Sequence, residues 1–128
     1  MVSLDSSFLI DLLAADPAAV EKARELDRRG ETKFLTAPAA SEVLVGAYHL
    51  GGSYLARTKT LVDSLTLLPF DRLSYDQAGR IGAELLRRGQ QISKADLFIA
   101  AITVRHGERL IARDGAFSRV PGLALEIY

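Results

Sequence analysis

Short apolar runs alternate with longer amphipathic stretches along the whole chain. That order predicts an α/β fold: a mainly parallel central sheet of four or five strands with helices on both faces. Three observations carry the prediction. The candidate strands VSLD, KFLTA, SLTLLPF, RLIA and LALEIY are each separated by segments with helical spacing of apolar residues. Pro17, Gly30, Pro38, Gly51-Gly52 and Gly89 mark segment boundaries. No linker, internal repeat or low-complexity tract interrupts the series, so residues 1–128 read as a single domain, long enough to bury a substantial core.

The elements follow in order. VSLD is a short buried strand ending at a polar turn. SSFLIDLLAA is a helix whose cap falls to Ser6 or Ser7, with Asp11 on the helix surface. Asp16-Pro17 opens a second helix with proline at its first position; Val20, Ala23 and Leu26 share a face, and Gly30 ends it. KFLTA is the second strand. Pro38 opens a helix that stops at Gly51-Gly52, and SYLARTKTLVDSL forms the next. SLTLLPF is a strand, with Pro69 marking its end or an edge position. SYDQAGRIGAELLRRG is amphipathic through Ala78, Ile81, Leu85 and Leu86 and stops at Gly89. KADLFIAAITVRHG is apolar on nearly every side from Leu97 to Val104, which predicts a centrally buried helix ending near His106. RLIA, a turn at Arg113-Asp114-Gly115, a packed Phe117 and the strand LALEIY complete the chain.

Composition narrows the function. There is no cysteine, so disulfides and thiolate metal sites are excluded. Asp5 and Asp11 interrupt the first apolar run, which has no basic flank, so it does not read as a secretory signal, and no stretch has the ~18 apolar residues of a membrane span. A cytoplasmic location without membrane association is expected. The 16 basic and 16 acidic residues cancel, which argues against a bulk electrostatic nucleic-acid binder. Between Arg87 and Arg119, however, seven bases face three acids, either as solvated helix faces or as a local surface for a polyanion.

In open α/β sheets, ligands bind beyond the carboxyl ends of the strands. Four acids are placed to converge there: Asp5 after the first strand, Glu42 early in the helix after the second, Asp96 at the head of the buried helix, and Asp114 just past RLIA. Each has a plainer reading alone. Asp5 and Asp96 can cap their helices, Glu42 can be solvated, and Asp114 stands in a DG turn. Together and uncompensated, they would repel and their pKa values would rise. A divalent cation removes that conflict, and oxygen-only ligation points to Mg²⁺ or Mn²⁺. Zinc is disfavoured, since His49 and His106 lie far apart. Neither a GxGxxG nor a GxxxxGK[ST] phosphate loop nor a GxSxG elbow occurs. A Mg²⁺ site with open positions is the arrangement that metal-assisted phosphodiester hydrolysis needs; paired-carboxylate glycosidase chemistry uses the same residue types, but a domain this small shows no evident sugar cleft.

Four stretches, spread over the full length, carry a family resemblance: LDSSFLIDLL, TAPAASEVLVGA, ISKADLFIAAITVRHG and RLIARDGAFSRVPGL. In this order the chain resembles the PIN-domain ribonucleases, and within them the VapC-type toxins of toxin–antitoxin pairs. The resemblance implies a Mg²⁺- or Mn²⁺-dependent endoribonuclease. Asp5, Glu42 and Asp96 would hold the metal and orient water, Asp114 would complete the acidic rim, and Ser7 would support it through a hydrogen bond. It implies an RNA substrate, a cognate antitoxin protein and a homodimer. The helices at 39–50 and 53–65 offer Val43, Val45, Tyr48, Leu50, Tyr54 and Leu55 for that contact or for ordinary core packing. The likeness departs at Ala112, where many relatives have Thr or Ser, and at Ala116, where a further acid is common. These departures make Asp114 the weaker corner and leave a second reading, a PIN-like scaffold without catalysis. A third reading is a receiver-like Mg²⁺-binding signalling module, with Asp71 as its third-strand acid.

Overall fold

A computed structural model describes residues 1–128. Five parallel strands form one sheet: β1 (Val2–Leu4), β2 (Lys33–Thr36), β3 (Thr66–Leu68), β4 (Arg109–Ala112) and β5 (Ala124–Ile127). Six helices connect them: α1 (Ser6–Leu13), α2 (Pro17–Arg28), α3 (Ala37–Leu50), α4 (Gly52–Asp63), α5 (Arg72–Arg87) and α6 (Lys94–Arg105). A 3₁₀ turn at Gly115–Arg119 lies between β4 and β5. The expected α/β class, parallel sheet and element order are all present.

The spatial order is β3-β2-β1-β4-β5. The chain first steps one way, from β1 to β2 to β3, and then reverses to β4 and β5. Right-handed crossovers put the helices of those two series on opposite faces of the sheet. The central strand agrees, since every residue of β1 is buried. The reversal makes a switch point between β1 and β4, whose carboxyl ends part to leave a crevice. β3, followed by Pro69, is an edge strand.

Local chemistry sets the helix starts. Asp16, Thr36, Asp71 and Ser93 each accept a hydrogen bond from the backbone N–H three residues on. Two helices start without a side-chain cap: α4, which follows Gly51, and α1. Asp5, not Ser6 or Ser7, stands at the α1 cap position, and the Asp5 side chain makes no cap hydrogen bond. The serine hydroxyls are used elsewhere, so the expected serine cap is corrected. α6 is the buried helix its composition predicts: Ile99, Ala100, Ala101, Ile102 and Thr103 are all inaccessible. Ile99 joins Phe8, Leu35, Leu85, Leu110 and Phe117 in the main core. Val43 also lies in that core, leaving Val45, Tyr48 and Leu50 as the exposed apolar residues of α3.

Because Ile99 has no solvent exposure, truncation leaves a cavity the packed α6 cannot close. Ile99→Ala is expected to cost about 2–5 kcal/mol and Ile99→Val about 1 kcal/mol, measured by urea unfolding with unchanged slope.

Candidate active site

The parallel register carries Asp5 to the end of β1. Leu4 stands beside Ile111 of β4, and the Asp5 N–H continues the ladder by donating to the Ile111 carbonyl at 3.0 Å. The side chain enters the crevice and is only 3% exposed. Its Oδ2 accepts from the Ser7 hydroxyl. Its Oδ1 is buried with no hydrogen-bond partner. Burial pushes the Asp5 carboxyl up to about 6; the Ser7 hydrogen bond opposes the rise and the Asp96 charge adds to it.

Asp96 lies in the first turn of α6. It is not the cap; that role falls to Ser93, whose Oγ accepts from the Asp96 N–H at 3.2 Å. The Asp96 carboxyl is half-buried rather than dry. Burial raises its pKa, a hydrogen bond with Ser93 lowers it, and the charges of Asp114 and Glu42 raise it again. Asp96 is therefore the electrostatic hub, acting on Asp5 and acted on by the other two acids.

Glu42 is in the second turn of α3 and is exposed, but it is not free. The Ser6 hydroxyl donates to its Oε1 at 2.9 Å, tying α1 to α3 across the rim. Asp114, also exposed, caps the 3₁₀ turn through a 2.8 Å bond from the Ala116 N–H to its Oδ1. The structure thus brings Asp5, Glu42, Asp96 and Asp114 to one rim around the β1/β4 crevice, with Ser7 on Asp5. No three acids are drawn tightly enough together to make a ready-made metal cage. An ion held by so few carboxylates would keep water in its shell, as Mg²⁺ does. The donor set suits such an ion: hard carboxylate oxygens, mutually repelling, one of them buried and unpartnered.

Several residues at this rim were missed or misread in the sequence. Ser6 holds Glu42, which only the three-dimensional path of α3 reveals. Asp11, expected on the helix surface, instead accepts from the Tyr128 hydroxyl at 2.6 Å and lies 3.5 Å from Arg113. Arg113 also donates to Asp16 at 2.8 Å. The receiver-like reading is corrected by the strand order, because Asp71 caps α5 beyond the edge strand β3, two strands away from β1.

Comparisons with known proteins agree with this fold. The family model for the PIN domain matches residues 2–123. A VapC ribonuclease of Mycobacterium bovis and Ribonuclease VapC11 of Mycobacterium tuberculosis are each 31% identical over 121 residues, covering 91% of this chain and 89% of the relative. Among solved structures, VapBC2 from Rickettsia felis bound to a promoter DNA fragment is similar at TM-score 0.89 and 20% identity, covering 100% of this chain and 99% of that one. DNA-bound VapBC from Salmonella typhimurium gives 0.87 at 22%, covering 99% and 98%. FitAcB from Neisseria gonorrhoeae gives 0.79 at 24%, covering 98% and 96%. These distant structural likenesses concern the fold.

The raised Asp5 pKa fixes the sign of a pH effect in metal-free protein. Between the ordinary carboxyl value of 3.8 and about 6, the folded state keeps a proton that the unfolded chain releases. The Asp5 contribution to stability is therefore present at low pH and lost as pH rises through that window. Asp5→Asn is expected to stabilise the metal-free protein at pH 7 by about 2–3 kcal/mol and to flatten this loss, measured by denaturant unfolding in EDTA from pH 4 to 7.5.

Proposed function

The chain belongs to the PIN domain family, among its VapC-type members, and from that premise we propose that it is a Mg²⁺- or Mn²⁺-dependent endoribonuclease, the toxin of a toxin–antitoxin pair. The observation that carries the metal site is the buried, partnerless Oδ1 of Asp5 beside the Asp96 charge. A fold rarely keeps such an oxygen without a use for it.

Asp5, Glu42 and Asp96 would hold the ion. Bound there, a divalent ion supplies Lewis-acid stabilisation of charge on the phosphate and a more acidic water. The protein's own groups prepare the site. Ser7 fixes the Asp5 carboxylate through Oδ2, leaving Oδ1 for the ion, and Ser6 fixes Glu42. The Ala116 N–H takes one oxygen of Asp114, and the other is available to orient water. Asp114 needs only this backbone contact, so Ala112 and Ala116 do not by themselves argue for an inert scaffold.

An RNA substrate needs cations near the rim. Of the seven bases between Arg87 and Arg119, five are already paired: Arg87 and Arg88 with Glu84, Arg105 with Asp71, Arg109 with Glu31 and Glu126, and Arg113 with Asp11 and Asp16. Lys94 has no carboxylate partner, and Arg119 donates only to the Gln91 carbonyl. Lys94 lies two residues before Asp96 and Arg119 five after Asp114, so these two are the best-placed contacts for RNA phosphates. An antitoxin partner is supported by the VapC kinship and by an apolar groove of about 630 Å³ between α5 and α6, lined by Phe70, Leu86, Leu97 and Phe98 among others. Exposed Val45, Tyr48 and Leu50 on α3 support a homodimer. No helix is long and apolar enough to cross a membrane.

Incubating the protein with a mixed RNA pool tests the activity. Cleavage is expected with Mg²⁺ or Mn²⁺, with none in EDTA and about 100-fold or more less in Asp5→Ala. Cleavage that survives in EDTA or in the variant contradicts the assignment. Lys94→Ala and Arg119→Ala are each expected to weaken RNA binding and to lower the log–log salt dependence by about 0.7, whereas Arg87→Ala leaves that slope nearly unchanged.

A further inference from the structure

One cluster at the rim has no part in holding metal or RNA. Tyr128 stands at its centre. Its hydroxyl donates to Asp11 Oδ2 at 2.6 Å, and its ring meets Phe8 edge-on at 4.9 Å. The Arg113 guanidinium lies over the same ring, 4.5 Å from its centroid, while bonding Asp16 at 2.8 Å and approaching Asp11 at 3.5 Å. The Ser7 side chain also borders the Tyr128 hydroxyl.

The register explains why these groups meet. Ala112 of β4 pairs with Ile127 of β5, so the next residues, Arg113 and Tyr128, come side by side. Ser7 and Asp11 are four residues apart on α1 and share one face, so a phenol that reaches Asp11 also reaches Ser7. Two acids of the site lie one step from this cluster. Ser7 donates to Asp5. Asp114 directly follows Arg113, at the bend where the chain leaves β4. Holding Arg113 against Asp11 and Asp16 fixes the backbone that carries Asp114, whose charge raises the Asp96 pKa.

We propose that Tyr128, clamped between Asp11 and the Arg113 guanidinium, is a positioning residue for the metal site: it orients the Ser7 hydroxyl on Asp5 and the strand end that carries Asp114. The proposal rests on the divalent-metal reading of that site, and it concerns the site's geometry rather than the bond being cut.

The test uses the purified full chain, with Mn²⁺ alone as the probe. Binding is followed by the electron paramagnetic resonance signal of the free ion, beside melting temperature and RNA-cleavage kinetics. Tyr128→Phe removes only the hydroxyl and keeps the ring against Phe8 and under Arg113. It is expected to weaken Mn²⁺ binding about 10-fold and to lower kcat similarly, with KM for RNA and melting temperature close to wild type. Asp11→Ala is expected to do the same, and the double variant to lose little more than either single one. Mn²⁺ affinity equal to wild type in Tyr128→Phe and Asp11→Ala overturns the proposal, even if the melting temperature falls, because the cluster is then only structural. Wild-type protein that binds Mn²⁺ but cuts no RNA defeats the nuclease reading and leaves this proposal to the Mn²⁺ titration. Wild-type protein that binds no Mn²⁺ defeats both.

Discussion

A carboxylate buried at the end of the central strand, with one oxygen left unpartnered, is the constraint from which the rest of this structure follows. Asp5 sits where β1 must stop, because its backbone still belongs to the ladder with β4 while its side chain has entered the crevice. Desolvation holds its pKa well above that of a free aspartate. A neutral residue would cost the fold less. The neighbours do not neutralise it with a cation of their own: Asp96, Glu42 and Asp114 are all acids, and Arg113, beside Asp114, is turned onto Asp11 and Asp16. A divalent cation from outside the chain would balance the site.

The fold concentrates this conflict in one place. The strand order reverses between β1 and β4, so two of the four acids follow adjacent strands across a crevice. The other two arrive on helices, Glu42 on α3 and Asp96 at the head of α6. The apolar body of α6 is packed into the core, so Asp96 cannot retreat from Asp5 without disturbing Ile99 and its neighbours. Rigid packing beneath and unbalanced charge above are two sides of one arrangement. The serines convert it into geometry, each fixing one acid: Ser7 on Asp5 and Ser6 on Glu42.

Much of this was legible in the sequence, for identifiable reasons. Strand and helix order could be read because periodicity and Gly/Pro punctuation are local properties. The four acids could be proposed because parallel α/β topology sends strand ends to a common rim, and the quoted stretches resemble one family in the right order. What sequence reasoning missed was set by contacts between distant residues. The Ser6–Glu42 bond spans 36 positions and the Tyr128–Asp11 bond 117. The serine cap on α1 was misassigned because local propensity favours it, while in the structure those hydroxyls serve the acids instead. For Val43 the sequence leaves partner contact and core packing both open, because the helical pattern of α3 is apolar on more than one face; only packing decides that it is core.

The central claim is that the Asp5 carboxylate is held in an electrostatic conflict that a divalent cation resolves. Carbon-13 NMR of its carboxyl group, titrated with pH with and without Mg²⁺, tests it most directly. The account predicts a midpoint near 6 in metal-free protein that falls clearly when Mg²⁺ is added. An ordinary midpoint near 4 in metal-free protein, or one that Mg²⁺ does not move, would contradict it.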